Sequence, residues 1–248
     1  MKRGLLLIDR GSHEDDVKQE LQHICEKVKQ KGGYHMANYC FLEVIPPYIE
    51  EGIKRSLLSE IDSLTIVPYF LYPGRKVKAA VDTATKFQSS TKTRISISRP
   101  MNMHHSLITL VNEKIEKILD RNASAAQKKN IDVLLIGHGS KDPEARSALK
   151  YVADGLGKTY RNVNYCFLEI EEPNIKQGIE ICSKNNPECL VVVPYFLHKG
   201  AHVKRDIYED LNPAIAQAGI KQIFLSEHLG TDEKMIDLVL ERAMEAEK

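Results

Sequence analysis

The chain has no long hydrophobic run. The opening MKRGLLLIDRGSHEDD joins basic residues to a few leucines, but the apolar stretch from Leu5 to Ile8 is too short for the core of a signal peptide, and charge follows at once. No other run approaches the length that crosses a bilayer, so a membrane role is not expected. It also lacks paired thiols. The five cysteines are odd in number, scattered and without a C-x-x-C, and Cys40 and Cys166 sit inside strand-like runs, which suits buried thiols in a reducing, cytoplasmic setting. A charge excess is missing too. The formal net charge of +1 gives no global field for nucleic acid or an anionic surface. Two chemical signatures are absent as well: no G-x-S-x-G elbow for a nucleophilic serine, and no Gly-rich spacing for a nucleotide phosphate. What remains is 248 residues that are 42% hydrophobic and 28% charged, the balance of a globular chain with sizeable cores.

What the chain has is a repeat. LLIDRGS from Leu6 returns as LLIGHGS from Leu134, NYCFLEV from Asn38 as NYCFLEI from Asn164, and VPYFLYPGRKVK from Val67 as VPYFLHKGAHVK from Val193. The offset is 128 residues at the first motif and 126 at the next two, and Gly52-Ile53 returns as Gly178-Ile179. Two homologous modules are expected, 1–122 and 131–248, joined by a linker over Arg121–Asn130 that lacks strong apolar residues.

Each module alternates short apolar runs with amphipathic stretches. In the second, Val133–Ile136 reads as a strand, and a helix follows with Asp142 as cap and Pro143 in its first turn. VNYCFLEI, CLVVVPYFL and KQIFLSEHL read as further strands. Between and after them lie a short helix after Pro173, a helix interrupted near Pro213, and a closing helix capped by Thr231 or Asp232. Strands alternating with helices imply crossover units. The fold class is α/β, two tandem parallel-sheet modules of about four strands each, related by a pseudo-twofold.

Ligands of open parallel sheets bind beyond the carboxyl ends of the strands, near the switch in strand order. His138 follows the first strand of the second module, Glu169 ends the second, and His202 lies in the loop after the third. Two imidazoles and a carboxylate on one rim suit a borderline divalent ion such as iron, cobalt, nickel or zinc. Each residue taken singly has a plainer reading, as a turn residue, a helix cap or a solvated side chain. Comparison of the modules favours the joint one: Arg10 stands where His138 does and Lys76 where His202 does, while Glu43 matches Glu169. A cation has no lone pair to give a metal, so both imidazoles are exchanged together. Arg10, Arg75, Lys76 and Lys78 cluster on the rim of the first module, and Lys199, Lys204 and Arg205 on that of the second. If the rims face each other, a cleft results with metal ligands on one wall and cations on the other, suited to a polyanionic small molecule.

The order G-H-G-S at Gly137–Ser140, C-F-L-E at Cys166–Glu169 and P-Y-F-L-H-K-G-A-H-V-K-R-D-I at Pro194–Ile207 resembles the class II tetrapyrrole chelatases, and more narrowly the sirohydrochlorin chelatase group. The resemblance covers essentially the whole chain and departs from the family pattern at Arg10 and Lys76. It implies a lyase that inserts Fe2+ into sirohydrochlorin to give sirohaem, with Co2+ insertion on the cobalamin route as the alternative and nickel a further possible metal. It maps metal-binding and catalytic roles onto His138 and His202, and onto Glu169 as ligand or orienting carboxylate. The expected substrate contacts are Arg10, Ser12, Lys76, Lys78, Ser140 and Lys204. No tightly bound cofactor is expected, since the divalent metal is itself a substrate; the partners are the tetrapyrrole and the ion, and a monomer suits a chain that already carries two copies. A non-catalytic metal or tetrapyrrole carrier would look alike in sequence, and a hydrolase using Ser140 is disfavoured because Ser12 persists in the module without histidines.

Overall fold

A computed structural model describes residues 1–122, 130–200 and 207–248. The elements run β1 (Arg3–Asp9), α1 (Asp15–Gly32), β2 (Met36–Phe41), α2 (Ile49–Leu57), β3 (Ser63–Pro68), α3 (Arg75–Thr85), β4 (Arg94–Ile97) and α4 (His105–Arg121). The series then repeats as β5 (Ile131–Gly137), α5 (Pro143–Leu156), β6 (Asn162–Phe167), α6 (Ile175–Ser183), β7 (Cys189–Pro194), α7 (Ile207–Gln217), β8 (Gln222–Leu225) and α8 (Glu233–Glu247). Most of the linker, residues 123–129, lies outside the described residues, as do residues 201–206.

Two parallel sheets of four strands form, in the orders β2-β1-β3-β4 and β6-β5-β7-β8. Strands β5 and β7 are buried along their whole length, which is why their sequences, IDVLLIG and CLVVVP, are almost wholly apolar, the buried Asp132 being paired with Arg161 at 2.8 Å. Edge strand β8 carries no fully buried residue and is correspondingly short. Each fully buried leucine or isoleucine of the central strands contributes roughly 1.5–3 kcal/mol. The helix starts obey local capping. Asp142 accepts from the Glu144 amide at 3.1 Å, and Asp232, not Thr231, accepts from the Lys234 amide at 3.1 Å. Asn174 and Gln177 close a reciprocal capping box at the start of α6. All five cysteines are buried and none is in a disulfide, and burial pushes the Cys40 and Cys182 thiols up to about 12. No helix among the described residues is long and apolar enough to cross a membrane.

The compact units differ from the 1–122 and 131–248 modules by an exchange of terminal helices. The first unit is Met1–Asn102 with Thr231–Lys248, and the second is Met103–Gly230. In the first, α8 lies on α1, β3 and β4. Its Glu247 carboxylate accepts from Arg3 at 2.7 Å and from the Tyr34 and Thr65 hydroxyls at 2.8 Å each. In the second, α4 lies on α5, β7 and β8, with Tyr160 Oη donating to Asn112 Oδ1 at 2.8 Å. Both helices have a buried apolar stripe, and the surface that receives a stripe is decided by tertiary complementarity, which the repeat pattern does not encode.

Candidate metal site at the strand ends

In each sheet order the switch falls between the first and third strands of the repeat, β1 and β3 or β5 and β7. In one unit Arg10 follows β1 and Lys76 stands at the start of α3, the helix after β3; in the other, His138 follows β5. The strand-end loops are tied by backbone. Leu168 N–H donates to Gly137 O at 2.9 Å and Glu169 N–H to His138 O at 3.0 Å, while in the first unit Leu42 donates to Asp9 O at 2.8 Å and Glu43 to Arg10 O at 3.1 Å. Gly139 has φ +92°, and a Cβ there would lie 1.9 Å from Glu169 O; Gly11 has φ +101°, and a Cβ would lie 2.3 Å from Glu43 O. Only glycine permits both that backbone and that approach.

Immediately beyond each glutamate the chain makes a γ-turn of the positive-φ form. Ile45 N–H donates to Glu43 O at 2.9 Å across Val44, and Glu171 N–H donates to Glu169 O at 2.7 Å across Ile170. Val44 has φ +73° and Ile170 φ +69°, unusual for β-branched residues.

In the first unit the three positions equivalent to the expected ligands meet. Arg10 Nε donates to Glu43 Oε1 at 3.0 Å, and Lys76 Nζ donates to the same oxygen. The Lys76 hydrogen bond above all, with that from Arg10, holds the Glu43 carboxyl below its ordinary range, against a smaller opposing effect of burial. Lys76 stands in the first turn of α3 and Lys78 is exposed two residues on.

In the second unit His138 Nδ1 lies 3.2 Å from Gly139 O. With the proton on Nδ1, that atom donates to the carbonyl and the lone pair belongs to Nε2, which is buried. Phe196 stands edge-on to the imidazole at 6.5 Å between centroids. Glu169 is exposed one strand away. His202 and Lys204 lie outside the described residues, and among the described residues no three metal-capable side chains form a cluster.

Ser140 and Ser12 have local duties. Ser140 Oγ accepts from the Asp142 amide at 3.0 Å, and Ser12 Oγ from the Glu14 amide at 3.1 Å; each hydroxyl proton remains available to donate. Two further supports were not anticipated from sequence. Glu171 accepts from the Ser140 amide at 3.0 Å and from Arg146 Nε at 2.9 Å, and the Arg146 guanidinium lies 5.1 Å over the Phe167 ring. The signal was available in the repeat, since Glu171 stands where the first module has Ile45. The paired Val44 and Ile170 were equally visible at the ends of NYCFLEV and NYCFLEI.

The CbiX family model matches residues 4–118 and 132–246, that is, both repeats. The chain belongs to the CbiX family. A sirohydrochlorin ferrochelatase of Priestia megaterium is 24% identical over 232 residues, covering 92% of this chain and 84% of that protein. A sirohydrochlorin cobaltochelatase of the same organism is 26% identical over 212 residues, covering 83% of this chain and 68% of that protein. Among solved structures, SirB from Bacillus subtilis with Fe3+ superposes with a TM-score of 0.84 at 23% identity, covering 99% of this chain and 96% of that one, which shows a shared fold.

Within this CbiX chain the repeats are chemically unequal. The first holds two cations on one carboxylate and has no imidazole at Arg10 or Lys76; the second has His138 beside Glu169. A CbiX repeat with lone-pair donors at these positions can ligate a borderline metal and take up protons near neutral pH. One with guanidinium and ammonium groups can do neither, and can only attract anions.

Proposed function

We propose that the chain is a sirohydrochlorin chelatase whose metal-handling residues are His138, His202 and Glu169 of the second repeat, with Fe2+ as the metal and sirohaem as the product. One observation carries this reading: Arg10, Glu43 and Lys76 converge on one point in the first unit. Since the repeats share backbone ties, the same convergence is expected of His138, Glu169 and His202.

Insertion exchanges two pyrrole N–H protons for one M2+. A metal-handling site must hold the ion loosely and take up protons, and neutral imidazoles do both. One of His138 and His202 presents the ion and the other removes pyrrole protons, while Glu169 orients an imidazole or accepts charge. The His138 contact with Gly139 O supports an Nε2 lone pair for the first task. Lys204 and Ser140 in the second repeat, and Arg10, Ser12, Lys76 and Lys78 in the first, are the groups proposed to meet the substrate's carboxylates. Arg10 and Lys76 share a single carboxylate, so their cluster keeps a net positive charge for that purpose. With both copies in one chain, the enzyme works as a cytoplasmic monomer.

Cobalt insertion is the second reading, supported by the cobaltochelatase relative at comparable identity. The test is anaerobic insertion of Fe2+, Co2+ and Ni2+ into sirohydrochlorin, followed by absorbance, for wild type and His138→Ala. Product beyond one equivalent in wild type only is the expected result. Equal rates in both proteins would overturn the site, and product that stops at one equivalent would make the protein a carrier.

A further inference from the structure

Ile170 combines two unfavourable features. Its backbone is in the left-handed region at φ +69°, where a β-branched side chain crowds its own peptide, and its side chain is 58% exposed. Neither is explained by packing, because a residue so exposed contributes little to a core. Glycine or asparagine would suit the turn and the solvent better. The same pair of features recurs at Val44, which has φ +73° and is 39% exposed, even though the neighbouring ligand positions have changed from imidazole to cation. The turn is rigidly placed: the carbonyl that it closes on is that of Glu169, whose amide is bonded to His138 O at 3.0 Å and whose oxygen fills the space of the missing Gly139 Cβ. Strain held by surrounding structure at such a place points to a ligand.

We infer that Ile170 is a substrate-contacting residue, an aliphatic buttress for the apolar face of the planar macrocycle beside the metal-handling residues. The inference rests on the chelatase reading and deepens it. A flat conjugated ring rimmed with carboxylates presents charge at its edge and carbon on its faces, so cations alone would leave its tilt undefined. A stiff branched side chain, held out from a γ-turn one residue past Glu169, gives the face a fixed surface to rest on. The positive φ sets where that side chain points.

The experiment is steady-state insertion of Co2+ into sirohydrochlorin by wild type, Ile170→Asn, Ile170→Gly and Ile170→Val, with thermal melts of each. Asparagine and glycine accept the turn without its strain, so their Tm values equal or exceed that of wild type. Their KM for sirohydrochlorin rises about tenfold, the worth of burying roughly half an isoleucine side chain. Their kcat stays within about twofold and their KM for Co2+ is unchanged, since remote binding contributes equally to ground and transition states. Ile170→Val keeps the wild-type KM. An unchanged sirohydrochlorin KM in both the Asn and Gly variants, or a loss confined to kcat, overturns the role of Ile170 and leaves the chelatase reading standing. A wild type that neither binds sirohydrochlorin nor inserts metal overturns both.

Discussion

The loops after β1 and β5 have nearly the same backbone and opposite chemistry. The ties from Leu42 and Leu168 differ by 0.1 Å, at 2.8 and 2.9 Å, and those from Glu43 and Glu169 by the same amount, at 3.1 and 3.0 Å. Yet one loop presents a guanidinium locked to a carboxylate and the other an imidazole set against its neighbour's carbonyl. Even the carboxylate that steadies each loop comes from a different place. Asp9 Oδ1 accepts from the Gly11 amide at 2.8 Å in the first unit, and Glu171 accepts from the Ser140 amide at 3.0 Å in the second. The lesson is that backbone hydrogen bonds and a glycine hold the frame, so the side chains at its rim are free to diverge. A duplicated chain can then keep lone-pair donors in one copy and spend the other on charge.

The largest way to break this comparison is removal of the imidazole. His138→Ala is expected to lower kcat/KM for metal insertion by about 100-fold or more, the scale on which losing a metal-handling or proton-accepting group is felt, while Arg10→Ala leaves Co2+ affinity unchanged. Isothermal titration with Co2+ and single-turnover absorbance separate the two, and a comparable loss of metal binding in both variants would erase the asymmetry.

Next is the shared frame. Gly139→Ala and Gly11→Ala each drive a methyl group into a backbone carbonyl, and each is expected to lose about 2–4 kcal/mol of stability. Urea midpoints would read this directly. If only one of the two destabilises, the loops are less alike than their hydrogen bonds imply.

A gain of function sharpens the contrast from the other side. Arg10→His combined with Lys76→His places two imidazoles around Glu43, and the bound Co2+ should rise by one equivalent per chain. No added equivalent would mean that the first frame cannot support a site.

The smallest effect is electrostatic. Glu43 is held below its ordinary carboxylate value of 4.5 in the folded chain. Its stabilising contribution is therefore present above that value and lost as pH falls through the lowered one. The cluster is partly exposed, with 41% of the Glu43 side chain accessible, so screening keeps the contribution under about 1 kcal/mol. Glu43→Gln should lose that amount at pH 7 and nothing further on acidification, whereas wild type converges on it as the pH falls through the lowered value. Parallel pH profiles for the two proteins would contradict the pairing.

Much of the architecture was legible in the residues. The unbroken apolar runs at Val133–Ile136 and Cys189–Leu197 announce strands buried on both faces. Asp142 before Pro143 announces a helix start, and the repeat offsets announce two equivalent sheets. Those signals are local or periodic, so they survive in one dimension. His138 and Glu169 could likewise be assigned to strand ends, because a parallel sheet sends every such end to one rim.

Other features came only from the folded chain. Arg10 and Lys76 could be read as cations, but their common grip on Glu43 needs three strand ends brought together. Ile170 reads as the last apolar residue of a strand, and only the turn closing on the Glu169 carbonyl puts it outward at positive φ. The exchange of α4 and α8 between units is the clearest case. Two helices with similar apolar stripes can satisfy either sheet as far as composition goes, and contacts such as those of Glu247 with Arg3, Tyr34 and Thr65 decide between them. Periodicity tells a helix that it must bury one face, while the shape and charge of a distant surface determine which partner buries it.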